Sequence, residues 1–383
     1  MSDKSELKIY YVANTRFPNE KAHGIQIAKT IESFIEEGRE VELVVPRRTH
    51  LNSKIQEFYK LKVSIPVTYL PCIDLYNKGR LWFFLSSITF IVSYLVFFIL
   101  KIIGGKKFII YSVDMDTFSM TPLTLLPRQF FTELHGARNL SFTTKIFFRF
   151  STGIIAINEA VKNVVVSRFI HTPPVLVEPN GVDLHMFSNV ATQTEARKAL
   201  ALPADKQIVM FVGRFYSWKE VGILAEAAAI APEIQWYAIG GSKDDFLRVT
   251  SLNTMPNNLI ICGDKAPTEV PYWVAAADVV LALGTKKNNG SWKFTSPMKV
   301  FEYMASGRPV VASRTPALES ILNEAEVYFY KPDDAVDLVE KVTNAIANQK
   351  PQAVHLALTK AKAHEWKKRA KRILEFIDSL SIN

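Results

Sequence analysis

SPMKVFEYMASGRPVV, residues 296–311, reads as a helix that runs into a strand. Pro297 suits the first helical turn, where a missing N–H costs nothing, and Ser296 is a natural amino-terminal cap. Gly307 and Pro309 then stop the helix ahead of the valines. Lys299 and Glu302 stand three apart and share a helical face. The free amides of the first turn and the helix dipole form an anion site. A carboxylate one turn further in can accept hydrogen bonds from ribose hydroxyls. The same letters also suit a capped surface helix with an internal ion pair. This segment alone leaves both readings open.

The helix–strand unit recurs along the chain. LKIYYVA (7–13) reads as a first strand and GIQIAKTIESFIEEG (24–38) as a helix, with Ile27, Ile31, Phe34 and Ile35 at helical spacing and Gly38 as its stop. Strand-like runs follow at EVELVVP (40–46), KFIIYSV, QFFTELH, GIIAIN and PVLVEPNGVD. A second series opens at QIVMFVGR (207–214), followed by a helix near 219–231 and by IQWYAIGG, NLIICG, ADVVLAL, RPVVAS and EVYFY. Alternation of this kind predicts parallel α/β domains, and 383 residues exceed what one core usually serves. The expected division is 1–185, 186–365 and a last helix over 366–383. Two doubly wound domains in tandem would bind ligands in a cleft at the carboxyl ends of their strands.

Composition narrows the class. With 48% hydrophobic and 22% charged residues the chain is globular rather than disordered. Cys72 and Cys262 are the only cysteines, which gives neither a disulfide framework nor a zinc cluster and suits a reducing compartment. The opening MSDKSELKIYYVA lacks the apolar core of a secretion signal. The net charge of +9 is uneven: 22 Lys and Arg face 16 Asp and Glu through residue 185, and 24 face 21 beyond it. A basic first half suits an anionic partner, either a membrane surface or a phosphorylated substrate. No nucleic-acid module is present and the basic residues are scattered, so nucleic acid is not an expected partner.

Leu81 to Leu100 carries no charge and is bounded by Arg80 and Lys101. Twenty such residues are long enough to cross a bilayer. Ser86, Ser87, Thr89 and Ser93 dilute the run, however, and strand-like segments of one domain flank it. A span would put those strands on opposite sides of a membrane. The remaining readings are a buried or groove-lining helix and shallow membrane attachment, where Arg80, Lys101, Lys106 and Lys107 could meet anionic headgroups.

Several strand ends carry chemistry. In VGRFYSWKEV, Arg214 leaves a strand and Lys219 follows five residues later, so fork and point charge can converge on one anion. FPNEKAHGIQI places Gly24 at the start of a helix, where backbone can approach a ligand, but it is no GxGxxG. TELHGARN puts His135 at a strand end, and AINEAVKN does the same with Asn158 before Glu159.

Together, NEKAHGIQIAKTIESFIEEGREVELVVPRR, ELHG, EPNGVDLHMF, VGRFYSWKEV, SPMKVFEYMASGRPVVAS and WKKRAKRILEFI resemble family 4 glycosyltransferases of the GT-B fold, over nearly the whole chain. The resemblance is to the branch carrying SPxKxFEYMA. It implies two Rossmann-like domains facing across a cleft and a last helix that crosses back to the first domain. It implies that Arg214 and Lys219 clamp the donor diphosphate, that Glu302 holds the ribose, and that the amides near Met298 and Lys299 take phosphate. The backbone near Gly263 would face the base, Gly24 would lie by the diphosphate and sugar, and His135 would face the transferred sugar. Such enzymes retain anomeric configuration and need no metal or other cofactor, so positive groups act on the leaving diphosphate. DMD at 114–116 matches a metal motif of another fold in letters only.

The chain departs from the family at two places. The usual glutamate pair would need a carboxylate at 294, where Phe294 stands; the SPxKxFEYMA branch shares that loss. Glu220 replaces the glycine usual after the clamp lysine. The function expected is transfer of a sugar from a UDP- or GDP-sugar to a lipid-linked or glycan acceptor, in envelope or surface polysaccharide synthesis. Its place would be the cytoplasm, with peripheral attachment to the inner face of the membrane as the reading of 81–100. The alternative is a silent module that binds nucleotide-sugar or lipid in a glycan assembly complex; a nucleotide-sugar epimerase fits the motifs less well.

Overall fold

The segment IVMFV (208–212) shows how the pattern becomes a sheet. All five side chains are buried, as in a strand covered on both faces. Period two sorts them. Ile208, Met210 and Val212 join a core with Phe301, Tyr303 and Met304, while Val209 and Phe211 join one with Leu224, Ala227 and Ala228. The computed structural model describes residues 7–19, 21–48, 54–75, 79–113, 116–137, 141–169, 172–188, 190–348 and 350–381. It divides into two units, Met1–Pro179 with Trp366–Asn383, and Asn180–Glu365.

The first unit holds β1 (Lys8–Val12), β2 (Val41–Pro46), β3 (Val67–Leu70), β4 (Phe108–Val113), β5 (Phe130–Leu134), β6 (Gly153–Ala156) and β7 (Val175–Val177). They form one sheet in the order β3-β2-β1-β4-β5-β6-β7, every pairing parallel. The helix Ala22–Glu36 covers one face through Ile27, Ile31 and Phe34. It stops at Gly38, whose φ of +84° a side chain would resist and whose N–H returns to Ile35 O at 2.9 Å. The last helix, Trp366–Leu380, packs on the same face through Ala370, Ile373 and Ile377. On the opposite face the helix Arg80–Ile103 buries Phe90, Tyr94 and Phe98. There Tyr10 of β1 meets Phe97 and Phe98 edge-on at 5.7 and 5.5 Å.

The second unit holds β8 (Ile208–Val212), β9 (Gln235–Ile239), β10 (Leu259–Ile261), β11 (Val279–Ala282), β12 (Val310–Ser313) and β13 (Tyr328–Tyr330), paired in parallel as β10-β9-β8-β11-β12-β13. In both sheets the strand order reverses beside the first strand of the unit, the doubly wound arrangement of a Rossmann-like fold. The seam at 179/180 falls inside PNGVD, a few residues before 185. Of the DMD letters, 114 and 115 lie outside the described residues. Asp116 caps the helix Thr117–Met120 by accepting from Ser119 N at 2.6 Å.

A buried carboxylate ties the first unit together. Glu133, at the end of β5, accepts from Arg369 Nη2 at 2.5 Å, Tyr111 Oη at 2.8 Å and Gln26 Nε2 at 3.0 Å. Arg369 also donates from Nε to Pro179 O at 2.7 Å. Both charges are almost wholly buried, so removing one strands the other in a poorly solvated site. Arg369→Met is expected to lower the unfolding free energy of this unit by about 3–5 kcal/mol in urea titrations. A loss below about 1 kcal/mol would show that the pair is not the tie described here.

Candidate active site

The second unit carries its candidate site residues on the segments that follow β8, β10 and β11. Gly213, Gly240 and Gly263 lie one residue, one residue and two residues past the ends of β8, β9 and β10. Gly240 has φ +125°, and a Cβ there would collide with the carbonyl of Gly213. Gly263 has φ +74° and open space where a side chain would stand. This is the exposed backbone that the resemblance assigns to the base. Gly240 was not singled out in the sequence, although the paired glycines ending IQWYAIGG were its signal.

Lys219 ends a short 3₁₀ turn, Ser217–Lys219, that follows β8. Its ammonium lies beside Gly213 and over the rings of Tyr216 and Trp218, 5.5 and 5.3 Å from their centroids. Burial of the ammonium, reinforced by the charge of Lys299, holds its pKa down at about 8. The structure therefore brings Lys219 and Lys299 together. No carboxylate pairs with Lys219 among the described residues. Arg214 points elsewhere, to Asp264 at 3.5 Å beside Gly263, and both side chains are exposed. Glu220 has φ +54°, the left-handed conformation that favours the glycine usual there. Its carboxylate is held by Lys287 at 3.0 Å rather than by Lys219.

The helix of SPMKVFEYMA begins at Met298, and here the structure corrects the cap. The residue preceding the first turn is Pro297, extended at ψ 122°, and no side chain caps the helix. Ser296, two residues before the helix, is held by its own carbonyl, which accepts from Asn180 Nδ2 at 2.8 Å. Its buried hydroxyl has no partner among the described residues. The first amides, near Met298 and Lys299, are left uncapped, the condition for anion binding. Tyr303 clamps the helix to the end of β8, bonding both Val212 N and Val212 O at 3.0 Å. Lys299 and Glu302 pair at 2.5 Å on the shared face. Phe294 closes a turn of π-helix, Gly290–Phe294, and is half-buried.

In the first unit, His135 follows β5 and its Nε2 lies 2.8 Å from Glu133 Oε1. Burial alone would raise the Glu133 pKa, but Arg369 and the bonds from His135 and Tyr111 hold it at about 2. The ring is thus oriented by a permanent anion. Its neighbour His23 bonds Thr15 Oγ1 at 3.0 Å, and burial, with the charges of Lys21 and His135, drives its pKa down to about 4. Gly24 is enclosed by its own chain: a Cβ there would stand 2.7 Å from Asn19 O and from Tyr59 Oη. Glycine at 24 is therefore required by packing, whatever it faces.

Residues 206–348 match the family model described as glycosyl transferases group 1. The match covers Arg214, Lys219, Gly263, Met298, Lys299 and Glu302, and excludes Gly24 and His135. The D-inositol 3-phosphate glycosyltransferase of Mycobacterium leprae is 26% identical over 198 residues, 49% of this chain and 44% of that protein. The chain thus spans less than half the length of the curated relatives it matches. Sucrose-phosphate synthase from Thermosynechococcus elongatus superposes with a TM-score of 0.79 at 17% identity, over 98% of this chain and 99% of that one. Anabaena HepE, solved in complex with UDP and glucose, gives 0.71 at 17% identity, over 98% and 100%. These likenesses establish the α/β GT-B fold.

The crowded cations carry a cost in stability. The folded pKa of Lys219 lies below the ordinary lysine value of 10.5, so its charged form is disfavoured on folding. Stability should therefore rise as pH climbs from about 8 towards 10.5. Lys219→Met should be more stable than the wild type by about 1 kcal/mol at neutral pH and should lack that rise. Denaturant titrations across this window test it; a less stable variant would contradict the assignment.

Proposed function

We propose that this chain is a retaining, family 4-type glycosyltransferase that moves a sugar from a UDP- or GDP-sugar to a lipid-linked or glycan acceptor. The observation that carries the reading is Lys219, buried without a carboxylate partner among the described residues and within the field of Lys299, beside an uncapped helix start. Lys299 and the free amides of that turn stand near Lys219, which no carboxylate neutralises among the described residues. A diphosphate supplies the negative charge, and it gains more as the glycosidic bond to it breaks. The protein's own cations then do on the leaving group what a metal does elsewhere, with no cofactor required.

The remaining roles follow from position. Arg214, exposed and held only by Asp264, swings to the diphosphate as the second half of the clamp. Glu302, mostly buried, accepts from the ribose hydroxyls, the open backbone at Gly263 borders the base, and Gly24 is assigned to the diphosphate and sugar. His135, its ring fixed by Glu133, is assigned to the transferred sugar. The UDP and glucose in the HepE complex support this donor chemistry. A cytoplasmic enzyme of envelope or surface polysaccharide synthesis is the setting that suits it. The silent-module reading loses one of its grounds, because Glu220 is engaged by Lys287 and leaves the field at Lys219 intact.

Turnover measured across a panel of UDP- and GDP-sugars tests the proposal. Arg214→Ala and Lys219→Ala should each lower it by about two to three orders of magnitude. In the wild type, kcat/KM should fall as pH rises through about 8, where free Lys219 loses its proton, and Lys219→Arg should flatten that limb. Undiminished transfer in both alanine variants would sink the assignment.

A further inference from the structure

We propose that the outer face of the helix Arg80–Ile103 docks in the plane of an anionic lipid bilayer. The proposal concerns the first unit alone and does not rest on the transferase reading. The helix is long and apolar enough to cross a membrane by length and composition. Leu85, Ile88, Val92, Val96, Ile99 and Ile103 recur three and four residues apart and form one stripe. All six are exposed, Val92 by 56%, Val96 by 53% and Ile103 by 77%. At 1.5 Å per residue the stripe runs roughly 27 Å without a charge.

The hydroxyls that dilute this run in the sequence are turned towards the protein. Ser86 and Ser87 are fully buried and accept from Arg48 Nη2 at 3.2 Å and Asn14 Nδ2 at 3.1 Å. Thr89 donates to Ser86 O at 2.9 Å and accepts from Ile73 N at 3.0 Å; Ser93 donates to Pro71 O at 2.6 Å. The helix therefore keeps its polar side chains inward and presents hydrocarbon outward, the reverse of an ordinary surface helix. Those bonds also argue against a span. The strands on either side, β3 and β4, lie in one sheet, and a crossing would tear them apart.

Two features select lipid over protein. Protein interfaces carry about one hydrogen bond per 100–200 Å², and this stripe offers no side-chain donor or acceptor. Just past its end, Lys106 and Lys107 are exposed, with no carboxylate partner among the described residues, and Arg128 donates to Lys106 O at 2.8 Å. Hydrocarbon ended by lysines complements acyl chains beneath anionic headgroups.

Co-sedimentation of the full chain with vesicles of phosphatidylcholine alone, and of an equimolar mixture with phosphatidylglycerol, tests this. The wild type should bind the mixed vesicles and bind the neutral ones at least about tenfold less. Val92→Asp with Val96→Asp should weaken binding about a hundredfold or more, since two buried side chains are lost. Lys106→Glu with Lys107→Glu lies outside the helix, so it tests the claim even if the aspartates disturb folding; a loss of about tenfold or more is expected. Thermal melts without vesicles should match the wild type for this second pair. Absence of binding to mixed vesicles overturns the proposal, as does unchanged binding in the lysine pair. A wild-type dimer that the aspartates dissociate, with no vesicle binding, assigns the face to a second copy and overturns it too.

Discussion

One buried carboxylate organises the first unit. Glu133 takes hydrogen bonds from Arg369, Tyr111, Gln26 and His135, which belong to the last helix, β4, the first helix and the end of its own strand. An ion so deep is tolerated only because its lone pairs are filled. The arrangement ties the last helix back onto the unit that begins the chain, since Arg369 supplies the buried guanidinium that balances the charge. It also fixes the ring of His135. Stability and site geometry share one constraint here, and neither can be altered alone.

The second unit takes the opposite course. Around Lys219 the chain keeps a second cation, Lys299, close and leaves the first amides of its helix uncapped. Every such omission costs stability, and a protein retains them where a ligand completes the set. Glu220 fits the same logic, being turned to Lys287 and away from the lysine it follows. Its φ of +54° explains why glycine is usual there and why a carboxylate is tolerated at modest cost.

Period and punctuation made much of this legible. The all-apolar run at 208–212 and the largely apolar one at 108–113 announce strands covered on both faces, and Gly38 announces a helix end. Lys219 and the helix after Ser296 could be placed on neighbouring strand ends. Local rules went wrong where a backbone detail intervened. Ser296 has the letter of a cap, but an extended Pro297 puts the helix start one residue later. At Gly24 the reading as a ligand contact stands as a proposal, while packing against Asn19 and Tyr59 independently requires glycine. The hydroxyls of 86–93 lower the apolar count equally whichever way they face, so composition could not show an unbroken outer stripe. Glu133 and Arg369 stand 236 residues apart, a distance over which periodicity carries no information.

The central claim is that the cations and free amides of the second unit exist to hold a diphosphate. Calorimetric titration of the wild-type chain with UDP, GDP and the corresponding nucleosides addresses it most directly. The account predicts that one of the diphosphates binds at least about a hundredfold more tightly than its nucleoside, because charge-assisted bonds to phosphate carry the affinity. Equal binding of nucleoside and diphosphate, or binding of neither, would contradict it.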